Sequence, residues 1–320
     1  MQNINKYIFG SILFFSLYSY SSGFISVNEH LESFIQEGAS RAQFMILGQG
    51  QATPYAGVKE FLRKLAQDYP AQVEIFTLGK SNDNEDILGV KIGKGSVNQL
   101  VVATHHGNEY GSTEVAKAVA TSLAADPLLD KTVYVIPVLN TSGYNKRQRA
   151  EFGNDPNRDY PGPCGTDGPF RLKSTKALAD FVEKSNIVTS ATLHTYHPGV
   201  LYPWGISTHD LTTPYESDFI HLGQLATIES QYTVGNSTVE LYPADGTFED
   251  YAYWKHGIWS LLFELGFTHS PSQDQIETMK KVNVPGIRRM LQQAPVARAP
   301  DHDFRGKCDI RLKSLDRRDE

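Results

Sequence analysis

QLVVATHHGNEYGS, residues 99–112, joins a short apolar run to two histidines, a small turn and a carboxylate. The apolar run has the length and composition of a buried strand, and the polar residues stand where the chain would leave a sheet. Upstream, PYAGVKEFLRKLAQDYP (54–70) carries apolar residues at helical spacing and is closed by Pro70. VEIFTLG and ILGVKIG alternate like paired strands around the turn-rich KSNDNED. Downstream, STEVAKAVATSLAADP (112–127) reads as a helix opened by Ser112 and ended by Pro127. The order then repeats, with TVYVIPVLN as strand, LKSTKALADFVEKSN as helix and IVTSATLHTY as strand. A further helix near 215–230 precedes the apolar strand IWSLLFELG (258–266). Strands alternating with helices give an α/β domain whose mixed, mostly parallel sheet is covered on both faces. In such sheets the ligand site lies where strands end and loops begin.

The chain of 320 residues is 40% hydrophobic and 21% charged, enough for one large core. A net charge of −6 without long runs of one sign offers nothing to nucleic acid or anionic lipid. A small molecule or peptide is the expected partner. Residues 1–23 join a polar start with Lys6 to an apolar run ending in Ser-Ser-Gly, the layout of a secretory signal peptide. The run is broken by Gly10, Ser11 and Ser16 and is shorter than the ~20 apolar residues of a membrane span. Export to the periplasm or medium is therefore expected, with no stable anchor after cleavage. Residues 24–51 read as a linker or strap, 52–292 as the folded domain and 293–320 as a tail. Cys164 and Cys308 are the two cysteines; an exported chain can join them or leave them free. Any metal must then rest on His, Asp and Glu.

The sharpest candidates fall at strand ends. His106 and Glu109 stand three residues apart just beyond 99–104, and His194 closes IVTSATLHTY. Two imidazoles and a carboxylate form a recurring ligand set for catalytic zinc. An HxxE pair alone is common, and a lone histidine at a strand end is more often a hydrogen-bonded surface residue; the joint placement gives the set its weight. His105 and His197 need no ligand role.

HGNE, VIPVLNTSGY, RAEFGNDPNRDYPG, LHTY, VELYPADGTFEDYAY and LLFELGF follow in that order. Together they resemble the zinc metallocarboxypeptidases of the carboxypeptidase A type, over about residues 52–292. The resemblance implies a mixed, eight-stranded twisted sheet between helices and one zinc per chain, held by His106, Glu109 and His194. It implies Glu264 as the general base toward the attacking water, later passing the proton to the leaving amine. Arg149 best matches the arginine that stabilises the oxyanion, with Arg147 as its rival. Asn157 and Arg158 match the pair that grips the substrate's terminal carboxylate, and Tyr242 the mobile tyrosine that closes over substrate. The family's usual Asn-Pro-Asp-Gly is Asn-Thr-Ser-Gly here (140–143), and Asn-Arg-Asn is Asn-Arg-Asp. Neither change removes a group that handles chemistry. There is no room for a long inhibitory propeptide or a following β-sandwich, so a stand-alone, monomeric catalytic domain of the bacterial kind is expected.

Counting from Tyr242 places Glu249 at the base of the pocket for the terminal residue, which would favour a basic side chain. If Phe248 points inward instead, the pocket is apolar, because a one-residue slip on a strand exchanges the two faces. The expected activity is removal of C-terminal residues from peptides. Hydrolysis of diaminopimelate-containing cell-wall peptides is the alternative. A zinc-containing peptide-binding protein without turnover would usually have lost Glu264 or a ligand, and VELYPADGTFEDYAY speaks against a deacylase of the aspartoacylase type.

Overall fold

The computed structural model describes residues 53–165, 169–206, 209 and 212–308. The expected signal peptide, the linker and the last residues of the tail lie outside them. In chain order the elements are α1 (Pro54–Asp68), β1 (Val73–Lys80), β2 (Asp86–Ile92), β3 (Val97–Ala103), α2 (Tyr110–Ala125), β4 (Lys131–Ile136) and α3 (Thr141–Lys146). There follow α4 (Lys173–Lys184), β5 (Ile187–His194), β6 (Gly199–Tyr202), α5 (Glu216–Ala226), β7 (Thr233–Asn236), α6 (Ser237–Glu240), α7 (Phe248–His256), β8 (Trp259–Glu264) and α8 (Gln273–Gln293).

The strands form one eight-stranded sheet in the order β1-β2-β4-β3-β5-β8-β6-β7. Its centre, β4-β3-β5-β8, is parallel, and antiparallel pairings join β2 to β4 and β6 to β8 on either side. Alternation along β3 divides the core into two layers. Leu100 and Val102 pack with Ile136, Leu178 and Val182 on the α4 face. Val101 and Ala103 pack with Val115, Val119 and Ile287 on the α2 and α8 face. Burial on both faces is why these strands read as nearly continuous apolar runs.

Helix α2 opens two residues earlier than the sequence suggests. Ser112 is its third residue, and its hydroxyl donates to the carbonyl of Glu109 (2.7 Å) rather than capping the helix. Glu109 holds the boundary position with its side chain free for another role. Helix α8, which the sequence pattern did not mark, carries Pro285 in its interior and is started by a reciprocal Ser272–Gln275 capping box. Gly286 lets it approach α5 closely: a Cβ there would stand 1.9 Å from the carbonyl oxygen of Ala226. Among the described residues no helix is long and apolar enough to cross a membrane.

Beyond α8 the chain continues along the domain. The Trp259 indole donates to the carbonyl of Ala297 (2.9 Å), and Ala299 donates to Gly257 (2.7 Å). Phe304 meets Trp204 edge-on at 5.2 Å, and Cys308 is bonded to Cys164. Of the two states open to these cysteines, the chain takes the disulfide. This bond spans a sequence separation of 144, and removing such a long-loop constraint costs about 2–4 kcal/mol. Cys308→Ser should therefore lower the melting temperature of oxidised protein by several degrees; an unchanged midpoint in a thermal melt would contradict a stabilising role for the bond.

Candidate active site

The turn after β3 is held in an unusual backbone shape. Thr104 adopts a left-handed φ of 61°, a region that non-glycine residues enter at a cost. Its hydroxyl donates to the carbonyl of Pro137 (3.0 Å) and lies 2.6 Å from the Thr113 hydroxyl, which offsets that cost. Gly107 passes so close to α3 that a Cβ would lie 2.1 Å from the Gly143 carbonyl carbon. The turn thereby presents His106 and Glu109 inward, and parallel pairing aligns the neighbouring strand ends with His194 opposite Glu264.

His106 Nδ1 stands 2.8 Å from Glu109 Oε1, His194 Nδ1 3.0 Å from Glu109 Oε2, and the two Nδ1 atoms 3.1 Å apart. One donor atom from each residue lies within 4.8 Å of the others, and all three residues are buried. Asp155 occupies the far side of His106, with Oδ1 3.0 Å from Nε2. A carboxylate there accepts a hydrogen bond from Nε2–H, and in the neutral imidazole this leaves the Nδ1 lone pair aimed at Glu109 and His194. Lone pairs and a carboxylate facing one another at such distances require a proton or a cation between them. Nitrogen and oxygen donors of this kind fit zinc. Burial pushes the Glu109 carboxyl up, but the His106 and His194 imidazoles outweigh it and hold the group below its usual range.

Asp155, which the sequence analysis did not single out, also accepts from Arg149 Nε (3.2 Å) and Nη2 (3.0 Å). It therefore fixes a histidine and an arginine of the site with one carboxylate. Its place directly before Pro-Asn-Arg, at the N-cap of the turn Pro156–Arg158, was the available signal. Arg149 lines the cavity, whereas Arg147 lies over the Tyr110 ring at 5.2 Å. Glu264 lines the same cavity, and its Oε2 has no hydrogen-bond partner. Burial, then the charges of Glu109 and Glu249, push its carboxyl well above the usual range.

The remaining expected residues gather in this cavity of about 200 Å³. Asn157 accepts from the backbone N–H of Phe248 (2.9 Å) and donates to Glu249 Oε2 (3.4 Å). Arg158 donates to the Tyr242 hydroxyl (3.2 Å) and lies over its ring. Glu249 faces the cavity, with Oε1 lacking a partner. Phe248 instead packs among His105 and Tyr160 in the core. These residues begin helix α7 rather than a strand. His105 supports the site from behind: burial, then His194 and His106, push its imidazole well below the usual range, and Nε2 meets the Tyr160 hydroxyl at 3.0 Å.

The sequence profile of the zinc carboxypeptidases matches residues 58–286. The chain belongs to this family. Human carboxypeptidase B is 26% identical over 257 residues, covering 65% of this chain and 61% of the human protein. A zinc carboxypeptidase of Simulium vittatum is 26% identical over 247 residues, covering 61% of this chain and 79% of that protein. The chain thus spans less than two thirds of the mammalian relative. Bovine thrombin-activatable fibrinolysis inhibitor, solved with tick carboxypeptidase inhibitor, shares the fold at a TM-score of 0.68 and 19% identity, over 75% of this chain and 96% of that one. A metallo-carboxypeptidase from Burkholderia cenocepacia does so at 0.57 and 15%, over 74% and 69%. The eight-stranded mixed, mostly parallel sheet is the one expected, and its fold is shared with these solved structures. The family's metal has its matching group in His106, Glu109 and His194.

Asp250, which the sequence analysis did not single out, accepts from Gly205 N–H through both oxygens (3.1 and 2.9 Å). Burial pushes its carboxyl up to about 8 against that hydrogen bond. An unfolded Asp titrates near about 3.9. The native state thus holds the proton more tightly, and this carboxyl erodes stability as pH rises from about 4 to about 8. Asp250→Asn keeps an acceptor for Gly205 without ionising, so its melting temperature relative to wild type should climb across that window and then level off. A difference independent of pH would contradict the assignment.

Proposed function

We propose that this protein is an exported zinc-dependent carboxypeptidase that removes one residue from the C-terminus of peptides, preferring a basic terminal residue, with one zinc per chain. The observation that carries this reading is the sharing of one cavity by Arg158, Glu264 and the His106–Glu109–His194 set. The apolar leader at 1–23 supports export.

Arg158, steadied by its hydrogen bonds to the carbonyl of Asn157 (2.6 Å) and to Tyr242, pairs with the terminal carboxylate, for which a planar guanidinium is suited. Tyr242, 39% exposed, stands at the rim where it can close over the bound residue. Zinc held by His106, Glu109 and His194 supplies Lewis-acid polarisation of the water and of the scissile carbonyl. Glu264 accepts a proton from the water as its oxygen bonds to the carbonyl carbon, then delivers it to the leaving nitrogen as the C–N bond breaks. A carboxyl with raised proton affinity suits both halves of that task. Arg149, braced by Asp155, faces the charge that develops on the carbonyl oxygen.

Glu249 supports the basic preference, since its unpartnered Oε1 is a buried acceptor awaiting a donor. The same carboxylate would also meet the ammonium of diaminopimelate, so the cell-wall substrate is separated from peptides by the test below. The fold of the Escherichia coli murein-tripeptide amidase MpaA is related at a TM-score of 0.52 and 16% identity, a likeness of fold alone.

The test is mass spectrometry of a peptide library and of digested muropeptides after incubation with the enzyme. Peptides ending in Lys or Arg should lose one residue while C-terminally amidated versions persist; equal cleavage of amidated peptides would contradict the reading. Glu264→Gln should retain zinc by elemental analysis yet lose about 10²–10⁴ in turnover, and near-normal turnover would remove Glu264 from its role. Glu249→Gln should lower the ratio of kcat/KM for Lys over Leu termini by about tenfold or more, since a charge-assisted hydrogen bond of about 1.5–3 kcal/mol is lost. An unchanged ratio would show that Glu249 does not read the terminal side chain.

A further inference from the structure

Both arginines of the site hang on one short segment. Arg149, Asp155, Asn157 and Arg158 all fall within residues 149–158, and two buried carboxylates bracket it, Glu151 near its start and Asp159 directly after its end. Neither carboxylate is part of the cavity wall. Both instead reach the start of helix α4. Glu151 accepts from the Ser174 hydroxyl. Asp159 accepts from the backbone N–H groups of Arg171 (2.9 Å) and Leu172 (3.0 Å) and from the Thr175 hydroxyl.

The fit is one of charge as well as of shape. The N-cap residue of α4 is Leu172, which brings no capping side chain, and Asp159 supplies an anion at this positive helix end from thirteen residues away. Three donors converge on its two oxygens, whereas a carboxamide would offer one oxygen and turn its NH2 toward a donor. Where the family usually has Asn, this chain has Asp159. On the other side, the backbone leads straight into the turn Pro156–Arg158, where Arg158 N–H donates to the carbonyl of Asp155 (3.1 Å). A guanidinium makes two parallel bonds to a carboxylate only when its plane is held in place.

We propose that Asp159 is a positioning residue: by tying the turn Pro156–Arg158 to the start of α4, it holds the Arg158 guanidinium where the substrate's terminal carboxylate can accept two parallel hydrogen bonds. This rests on the carboxypeptidase reading above. Arg158 does the binding, and Asp159 acts through it. Glu151 fixes the other end of the segment to the same helix, so Asp155, which braces His106 and Arg149, shares the anchorage. A displacement of about 1 Å in such a clamp costs up to about a hundredfold in rate or binding.

The test compares the inhibition constants of Nα-acetyl-lysine and Nα-acetyl-lysinamide, which differ only at the terminal carboxylate, against cleavage of a peptide ending in lysine. Wild type should bind the acid about 10–100-fold more tightly than the amide. Asp159→Asn should cut that preference about tenfold, with the amide's constant and the zinc content unchanged. Thr175→Val, which removes one donor to Asp159, should cut it in the same direction, and Thr175→Ser, which restores the hydroxyl, should recover it. An inhibition constant does not depend on how many molecules are folded, so a residue serving stability alone would leave both constants at their wild-type values, and that result overturns the proposal. By linkage, the acid and not the amide should also slow amide hydrogen exchange over residues 171–175 of wild type; equal exchange with the two ligands overturns the proposal without any variant. A wild type that shows no preference for the acid overturns the carboxypeptidase reading and this inference together.

Discussion

Everything at this site depends on the parallel pairing of β3, β5 and β8. Parallel strands deliver their C-terminal ends to one edge of a sheet, and here those ends carry His106 and Glu109, His194 and Glu264. The His194–Glu264 register is set by main-chain hydrogen bonding, so the relation between a metal-ligating histidine and a proton-transferring carboxylate is built into the backbone. A one-residue slip of either strand would turn its side chain to the opposite face of the sheet. The apolar layers on the two faces of β3 make such a slip costly, and core packing thereby fixes the catalytic geometry.

Charge is the second constraint. Glu109, Asp155, Glu249 and Glu264 crowd around one small cavity against Arg149, Arg158 and two imidazoles. Asp155 relieves part of the conflict by binding His106 and Arg149 together. What is left is a cluster of lone pairs between His106, Glu109 and His194, which a divalent cation neutralises. Burial, and then the neighbouring carboxylates of Glu109 and Glu249, push the Glu264 carboxyl well above its usual range. The positive charge of a bound cation would draw that carboxyl back toward the ionised form a base requires.

Much of this was legible in the sequence because it is carried by periodicity and by strand ends. The long apolar strands and the helices over 54–68 and 173–184 could be read from their apolar spacing, and His106, Glu109 and His194 from their places at strand ends, whereas Glu264, Arg149, Asn157, Arg158 and Tyr242 came from the family resemblance. The misses have physical causes. Helix α2 was placed at Ser112 because Ser is a common cap, while the native start frees the Glu109 side chain for the cluster. Helix α8 was hidden by Pro285, which its packing against α2 and α5 overrides. Asp155 acts through His106 and Arg149, a relation between residues distant in sequence that no local pattern encodes. Glu249 and Phe248 could not be separated by alternation because they open a helix, where successive residues differ by about 100° rather than 180°. The path of residues 294–308 depends on main-chain contacts with Gly257 and Trp259 that composition cannot reveal.

The central claim is that the buried set of His106, Glu109 and His194 holds a single zinc ion. It is tested most directly by anomalous diffraction from crystals of the purified chain, recorded on either side of the zinc absorption edge. One strong peak per chain bordered by His106 Nδ1, Glu109 and His194 Nδ1 is the predicted result. No zinc peak there in crystals grown with zinc, with the three side chains still bonded to one another, would contradict the account.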